Sequence, residues 1–181
     1  MRICLDPGHG GHDSGAVGLN ICEKDYALKI SNYLAELLIK KGFQVVCTRT
    51  DDRFIPLNDR VKFAYLNKCD LFISIHHNSA ANSNANGYET WMHMDYRSST
   101  RLAETLHKAI ISAKIFGRDR GIKYGNFTVI KKTRMPACLV ELGFINNKED
   151  QLTIMSKWKY IAEVMSDALA KEYLERKNVM P

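Results

Sequence analysis

RICLDPGHGGHDSGAVGLNICEKDYALKISNYLAELLIKKGFQVVCT (residues 2–48) holds two short apolar runs separated by a long stretch of different period. Arg2 to Leu5 and Phe43 to Thr48 have the Ile, Val, Leu, Phe and Cys content of strands. Between them, EKDYALKISNYLAELLIKKG sets Tyr26, Ile30, Leu34 and Leu37 or Leu38 on one face at helical spacing, and Gly42 follows the last turn as a C-cap. A strand, a helix and a second strand in that order form a parallel crossover unit.

The alternation continues outward from this unit. DLFISI (70–75), GYETWMH (87–93), Phe127 to Ile130 and Ala137 to Glu141 read as further strands, which makes six. Asn58 to Asn67, Ser99 to Lys114 and Trp158 to Leu174 repeat the amphipathic helical pattern, and ANSNANG (81–87) is a polar loop. The expected fold class is α/β, built around a mostly parallel sheet. The 181 residues suit one domain, expected over 1–176, with 177–181 as a tail or the start of a linker.

Composition removes several classes of function. Hydrophobic residues make up 45% and charged residues 25%, ordinary globular usage that gives no reason to expect disorder. No apolar run reaches the ~18 residues that span a bilayer, and the first residues meet glycine and histidine too soon for a signal-peptide core. No membrane association and no export signal are expected from this stretch. Five cysteines without a CxxC pair argue against a thiolate zinc site, and Cys4, Cys47 and Cys138 fit as small hydrophobes within strands. The net charge of +6 is scattered, with only Lys131, Lys132 and Arg134 clustered and no interleaved aromatics. No nucleic-acid partner is expected; a solvated surface with some affinity for anionic wall polymers is.

In an open α/β sheet, ligands gather beyond the carboxyl ends of the strands. His9 follows the first strand, His76 follows the third, Glu141 ends the last, and Glu23 opens the first helix near the same edge. Two imidazoles and one carboxylate are the ligand set of a catalytic zinc site, and a second carboxylate that does not ligate is placed to act as general base. Asp25 is an alternative to Glu23, and His77 to His76. Strand alternation allows only one of two adjacent histidines to reach a metal. Glu104 and His107 mimic a ligand pair, but their spacing fits a solvated helix face. Trp91, Tyr96, Tyr124 and Phe127 are candidates for a sugar-binding groove, with core packing the alternative.

The segments DPGHGGHDSGAVG, Glu23, SIHHNSA, GYETW, RGIKYGNFTVI and MPACLVELGFINN, in that order, resemble the zinc-dependent N-acetylmuramoyl-L-alanine amidases of the Amidase_3 family along essentially the whole chain. The resemblance implies a twisted, mostly parallel six-stranded sheet with helices on both faces. It implies one Zn2+ per chain held by His9, Glu23 and His76, Glu141 as the catalytic carboxylate, and Asn78 shaping the substrate site. It further implies peptidoglycan as substrate and hydrolysis of the bond between N-acetylmuramic acid and L-alanine, as an endolysin or an autolysin acting on the cell wall. The rival expectation is a silent or partner-activated wall-binding domain of the same fold. A monomer is the default, and a wall-binding domain outside this stretch is compatible with it.

Overall fold

The computed structural model describes residues 1–94 and 97–174, apart from the side chain of residue 97. Its elements are β1 (Arg2–Pro7), α1 (Glu23–Lys40), β2 (Gln44–Cys47), α2 (Leu57–Leu66), β3 (Leu71–Asn78) and β4 (Tyr88–Met92). They continue as α3 (Arg97–Ser112), β5 (Asp119–Tyr124), α4 (Thr128–Lys131), β6 (Ala137–Phe144) and α5 (Lys148–Tyr173). The strands form one six-stranded sheet in the order β2-β1-β3-β6-β4-β5. Every pairing is parallel except β4 with β6, so the sheet is mixed and mostly parallel.

Strand period sorts the side chains between two faces. Ile3, Leu5, Leu71, Ile73, Ile75, Val140 and Leu142 point to one face, where they meet Tyr26, Ile30, Leu34 and Leu38 of α1 and the buried faces of α3 and α5. Cys4, Phe72, Ala137 and Leu139 point to the other, under Ala64 of α2 and Val129 and Ile130 of α4. Gly42, at φ 91, turns the chain out of α1 in a conformation that L side chains rarely adopt.

Two elements depart from the sequence expectation. Phe127 to Ile130 lies in a loop and the short helix α4 rather than a strand, and the missing strand is β5, Asp119 to Tyr124. In TVI a β-branched run is overruled by tertiary packing: Val129 and Ile130 insert together into the second core cluster, which one face of a helical turn permits. DRGIKY, in turn, is polar because β5 is an edge strand, paired only with β4. Helix α5 also begins ten residues before the expected Trp158, because the Asn147 side chain accepts from the backbone N–H groups of Glu149 and Asp150 and caps it. The expected tail at 177–181 lies outside the described residues.

Beneath the catalytic edge of the sheet sits a fully buried carboxylate, Asp6. It accepts from Thr48 Oγ1 (2.7 Å), Ser74 Oγ (2.8 Å) and Arg60 Nη1 (2.9 Å), so β1, β2, β3 and α2 are tied at one point. Removing one partner of a buried pair strands the other charge. Asp6→Ala is expected to cost about 3–5 kcal/mol of folding free energy, read by urea unfolding; a loss under ~1 kcal/mol would show that Arg60 finds other compensation.

Candidate metal centre

Three segments converge at the carboxyl edge of the sheet. The loop after β1 brings His9, the first residue of α1 is Glu23, and β3 carries His76 near its end. One donor atom from each lies within 4.8 Å of the others. His9 Nε2 stands 3.2 Å from Glu23 Oε2, and His76 Nδ1 stands 2.7 Å from Glu23 Oε1. Glu23 is held from the backbone side as well: Ala16 N–H donates to Oε2 (2.9 Å) and His77 N–H to Oε1 (3.0 Å). Burial works to raise the Glu23 carboxyl, but the two imidazoles outweigh it and hold it well below the usual carboxylate range.

The loop that carries His9 is gripped from below by two buried guanidinium groups. Arg49 donates to the carbonyls of Pro7 (3.1 Å) and Gly8 (2.7 Å), and Arg60 donates to those of Pro7 (2.6 Å) and His9 (2.7 Å). His9 is thereby fixed at φ 58 with its ring turned toward Glu23. Its outer nitrogen, Nδ1, donates to Asp13 Oδ2 at 2.9 Å, an arrangement that orients a ligating imidazole and raises its basicity. Burial works to lower the His9 pKa, while Glu23 and Asp13 together raise it. Asp13 was not singled out from sequence, although its i,i+4 spacing from His9 in HGGHD was the available signal.

Two glycines make room for this packing. A Cβ on Gly15, at φ 64, would sit 2.6 Å from both Glu23 Oε2 and His9 Cδ2, and a Cβ on Gly8 would overlap the His76 ring. The glycines of DPGHGGHDSG therefore serve close approach within the site itself.

On the sheet, His76, Glu141 and Glu89 form a row across β3, β6 and β4, with His76 opposite Glu141 and Glu141 opposite Glu89. The two carboxylates have different surroundings. Glu89 accepts from Asn78 Nδ2 (2.7 Å), Trp91 Nε1 (3.0 Å), Arg120 Nε (2.8 Å) and Lys123 Nζ (2.5 Å). Burial works to raise its pKa, but Lys123 and Arg120 bring it below the usual value. Glu141 Oε2 is buried and has no hydrogen-bond partner. Burial, with Glu23 and Glu89 adding negative charge nearby, pushes the Glu141 carboxyl well above its ordinary value.

The adjacent histidine takes a structural place. His77 points to the opposite sheet face, is 2% exposed, and donates from Nδ1 to the Leu142 carbonyl (2.7 Å). Burial pushes its pKa down to about 4. Asp25, two residues round the helix from Glu23, is exposed and outside the cluster. Glu104 does lie on a solvated face, paired with Lys108 (2.7 Å), but His107 is buried. It bridges Thr90 Oγ1 (3.0 Å) and Asp119 Oδ1 (2.9 Å), because the period of α3 carries it toward the sheet.

A cleft of about 340 Å³ opens over the centre, lined by His9, Glu23, His76, Asn78, Phe127 and Glu141 among others. Phe127 forms its wall and Trp91 packs edge-on against Phe127 at 5.3 Å. Tyr124 is exposed away from the lining, and Tyr96 lies outside the described residues. The donor set fits a zinc ion: two imidazoles and one carboxylate converge, one imidazole is braced by Asp13, and the free side faces the cleft beside an unpartnered carboxyl oxygen.

The model of the family described as Amidase_3, N-acetylmuramoyl-L-alanine amidase, matches residues 3–171. The chain belongs to the Amidase_3 family. Among its Amidase_3 relatives, protein YqiI of Bacillus subtilis (strain 168) is 44% identical over 150 residues, which cover 82% of this chain and 72% of YqiI. N-acetylmuramoyl-L-alanine amidase LytC of the same strain is 41% identical over 150 residues, 82% of this chain and 30% of LytC. The chain thus spans under a third of LytC's length. The solved catalytic domain of CwlV, an N-acetylmuramoyl-L-alanine amidase from Bacillus (Paenibacillus) polymyxa var. colistinus, superposes with a TM-score of 0.89 at 36% identity, covering 94% of this chain and 96% of that one.

If Asp13 orients His9, Asp13→Asn is expected to weaken zinc affinity by about 10–100-fold, measured by competition with a chromogenic chelator. An unchanged affinity would leave Asp13 without that role.

Proposed function

We propose that the chain is a zinc-dependent N-acetylmuramoyl-L-alanine amidase that hydrolyses the amide between N-acetylmuramic acid and L-alanine in peptidoglycan, acting on the cell wall as a lysin or an autolysin. The observation that carries this reading is the unpartnered Glu141 carboxyl oxygen standing one strand from His76, beside the His9–Glu23–His76 cluster, in a chain of the Amidase_3 family. A silent domain of the same fold would have no need to keep a buried carboxyl without a partner, which costs folding free energy.

In this reading His9, Glu23 and His76 hold one zinc ion. When bound, zinc supplies a Lewis acid that polarises the scissile carbonyl and lowers the pKa of a water. Glu141 takes a proton from that water as its oxygen attacks the carbonyl carbon. The carbon–nitrogen bond then breaks, Glu141 returns the proton to the departing L-alanine amine, and the muramoyl carboxylic acid is released. Asn78, tied by its Nδ2 to Glu89 and by its Oδ1 to the Ser79 N–H (2.8 Å), keeps the cleft wall beside Glu141 in place for the substrate.

Glu89 and Glu141 share the work of two neighbouring carboxylates by being set apart electrostatically. Glu89 is neutralised by Arg120 and Lys123 and stays ionised as an anchor. Glu141, without such partners, is the one available to exchange a proton.

The test is release of peptides bearing a free L-alanine amine from purified peptidoglycan, together with zinc content. The native chain is expected to bind one zinc and to release such peptides, and chelation or His9→Ala to stop the release. Glu141→Gln is expected to retain zinc and lose at least about 10²-fold in turnover. Full activity of Glu141→Gln, or peptide release that survives zinc removal, would overturn the mechanism.

A further inference from the structure

A second concavity of about 360 Å³ lies between α2 and α4, lined by Asn58, Val61, Lys62, Tyr65, Lys132 and Arg134. It continues directly from the cleft. Leu57 lines the cleft and Asn58 the groove, while Thr128 lines the cleft and Lys132, four residues on, lines the groove. The groove therefore starts about one helical turn, ~5.4 Å, from the cleft wall. Lys132 Nζ donates to Asn58 Oδ1 (3.0 Å) and so spans its mouth. The Arg134 guanidinium stacks over the Tyr65 ring at 5.4 Å. All three cations are exposed, no carboxylate belongs to the lining, and none of the three forms an ion pair among the described residues.

Cations on a protein surface usually stand among carboxylates of opposite sign, as Lys24 with Asp52, Lys41 with Asp167 and Lys108 with Glu104 do here. Three unpaired cations converging on one groove leave a positive field that a bound anion would complete. The charge complement is a peptide carboxylate rather than an isolated ion, because the groove is a continuation of the site that holds the scissile amide. An extended peptide advances ~3.3 Å per residue. The second to fourth residues beyond that amide would thus lie about 7–13 Å away, along the groove and over Tyr65.

We propose that the α2–α4 groove is the subsite for the stem peptide, with Lys62, Lys132 and Arg134 receiving the carboxylates that follow L-alanine. This rests on the amidase reading of the cleft and deepens it. It assigns the groove to the peptide side of the substrate, and makes free carboxylates beyond L-alanine a determinant of affinity and not of the chemical step.

The experiment compares two muramoyl peptides that differ only in whether the carboxylates beyond L-alanine are free or amidated, using the zinc-loaded chain and the triple variant Lys62→Gln/Lys132→Gln/Arg134→Gln. Exposed ion pairs are individually weak, so three together are expected to give a KM about tenfold higher for the acidic peptide in the triple variant. The kcat is expected to be unchanged, as are both constants for the amidated peptide. Added salt should raise the native KM for the acidic peptide and leave the variant's nearly flat. Unchanged activity of the triple variant on the amidated peptide doubles as the check that it folds. An equal effect on both peptides, or none on either, would overturn the assignment. So would relief, by the triple substitution, of competitive inhibition by a soluble polyphosphodiester without any change in KM for the acidic peptide, which would give the groove to an anionic wall polymer. Failure of the amidase reading is distinguishable: the native chain, zinc bound, would then cleave neither peptide.

Discussion

The site depends on a contact that involves no catalytic side chain. Arg49 and Arg60, each almost fully buried, turn their guanidinium groups up against the carbonyls of Pro7, Gly8 and His9. Three consecutive carbonyls held from one side leave the loop after β1 little freedom, and the His9 ring is delivered to the other side. A guanidinium suits the task because its fork of donors can hold several acceptors at fixed angles, which a lysine ammonium cannot. Two buried positive charges would be costly alone, and Asp6 offsets one of them from within the sheet.

From that anchor the geometry propagates by exclusion. Gly8 lies where any Cβ would strike the His76 ring, and Gly15 where one would strike Glu23 and His9. Glu23 then receives one backbone N–H from each side, from Ala16 in the loop and from His77 in β3, so both of its oxygens are aimed before any ligand arrives. Preorganisation of this kind places the cost of ordering the donors in the folding reaction rather than in binding.

Much of this was legible in the chain. The helical spacing of Tyr26, Ile30, Leu34 and Leu38, flanked by apolar runs, identifies α1 and its strands because period and burial agree there. His9, Glu23, His76 and Glu141 were visible because each ends a strand or begins a helix, and those positions meet at one edge of an α/β sheet. Where local preference and tertiary context disagree, the reading failed. Phe127 to Ile130 has the composition of a strand but packs as a helical turn, and Asp119 to Tyr124 has the composition of a loop but pairs as an edge strand. His107 was assigned to solvent by its spacing from Glu104, and only the packing of α3 against β4 buries it.

The sequence by itself determined the order of strands and helices, the side-chain alternation that sends His76 and His77 to opposite faces, and the chemical types gathered at the sheet edge. Those follow from local periodicity, which needs no knowledge of distant residues. The brace from Asp13, the grip of Arg49 and Arg60, and the unequal surroundings of Glu89 and Glu141 were decided only by the tertiary structure. The reason is that a carboxylate's state depends on what stands within a few ångströms. Arg120 and Lys123, brought to Glu89 by the pairing of β5 with β4, lie more than thirty residues away along the chain.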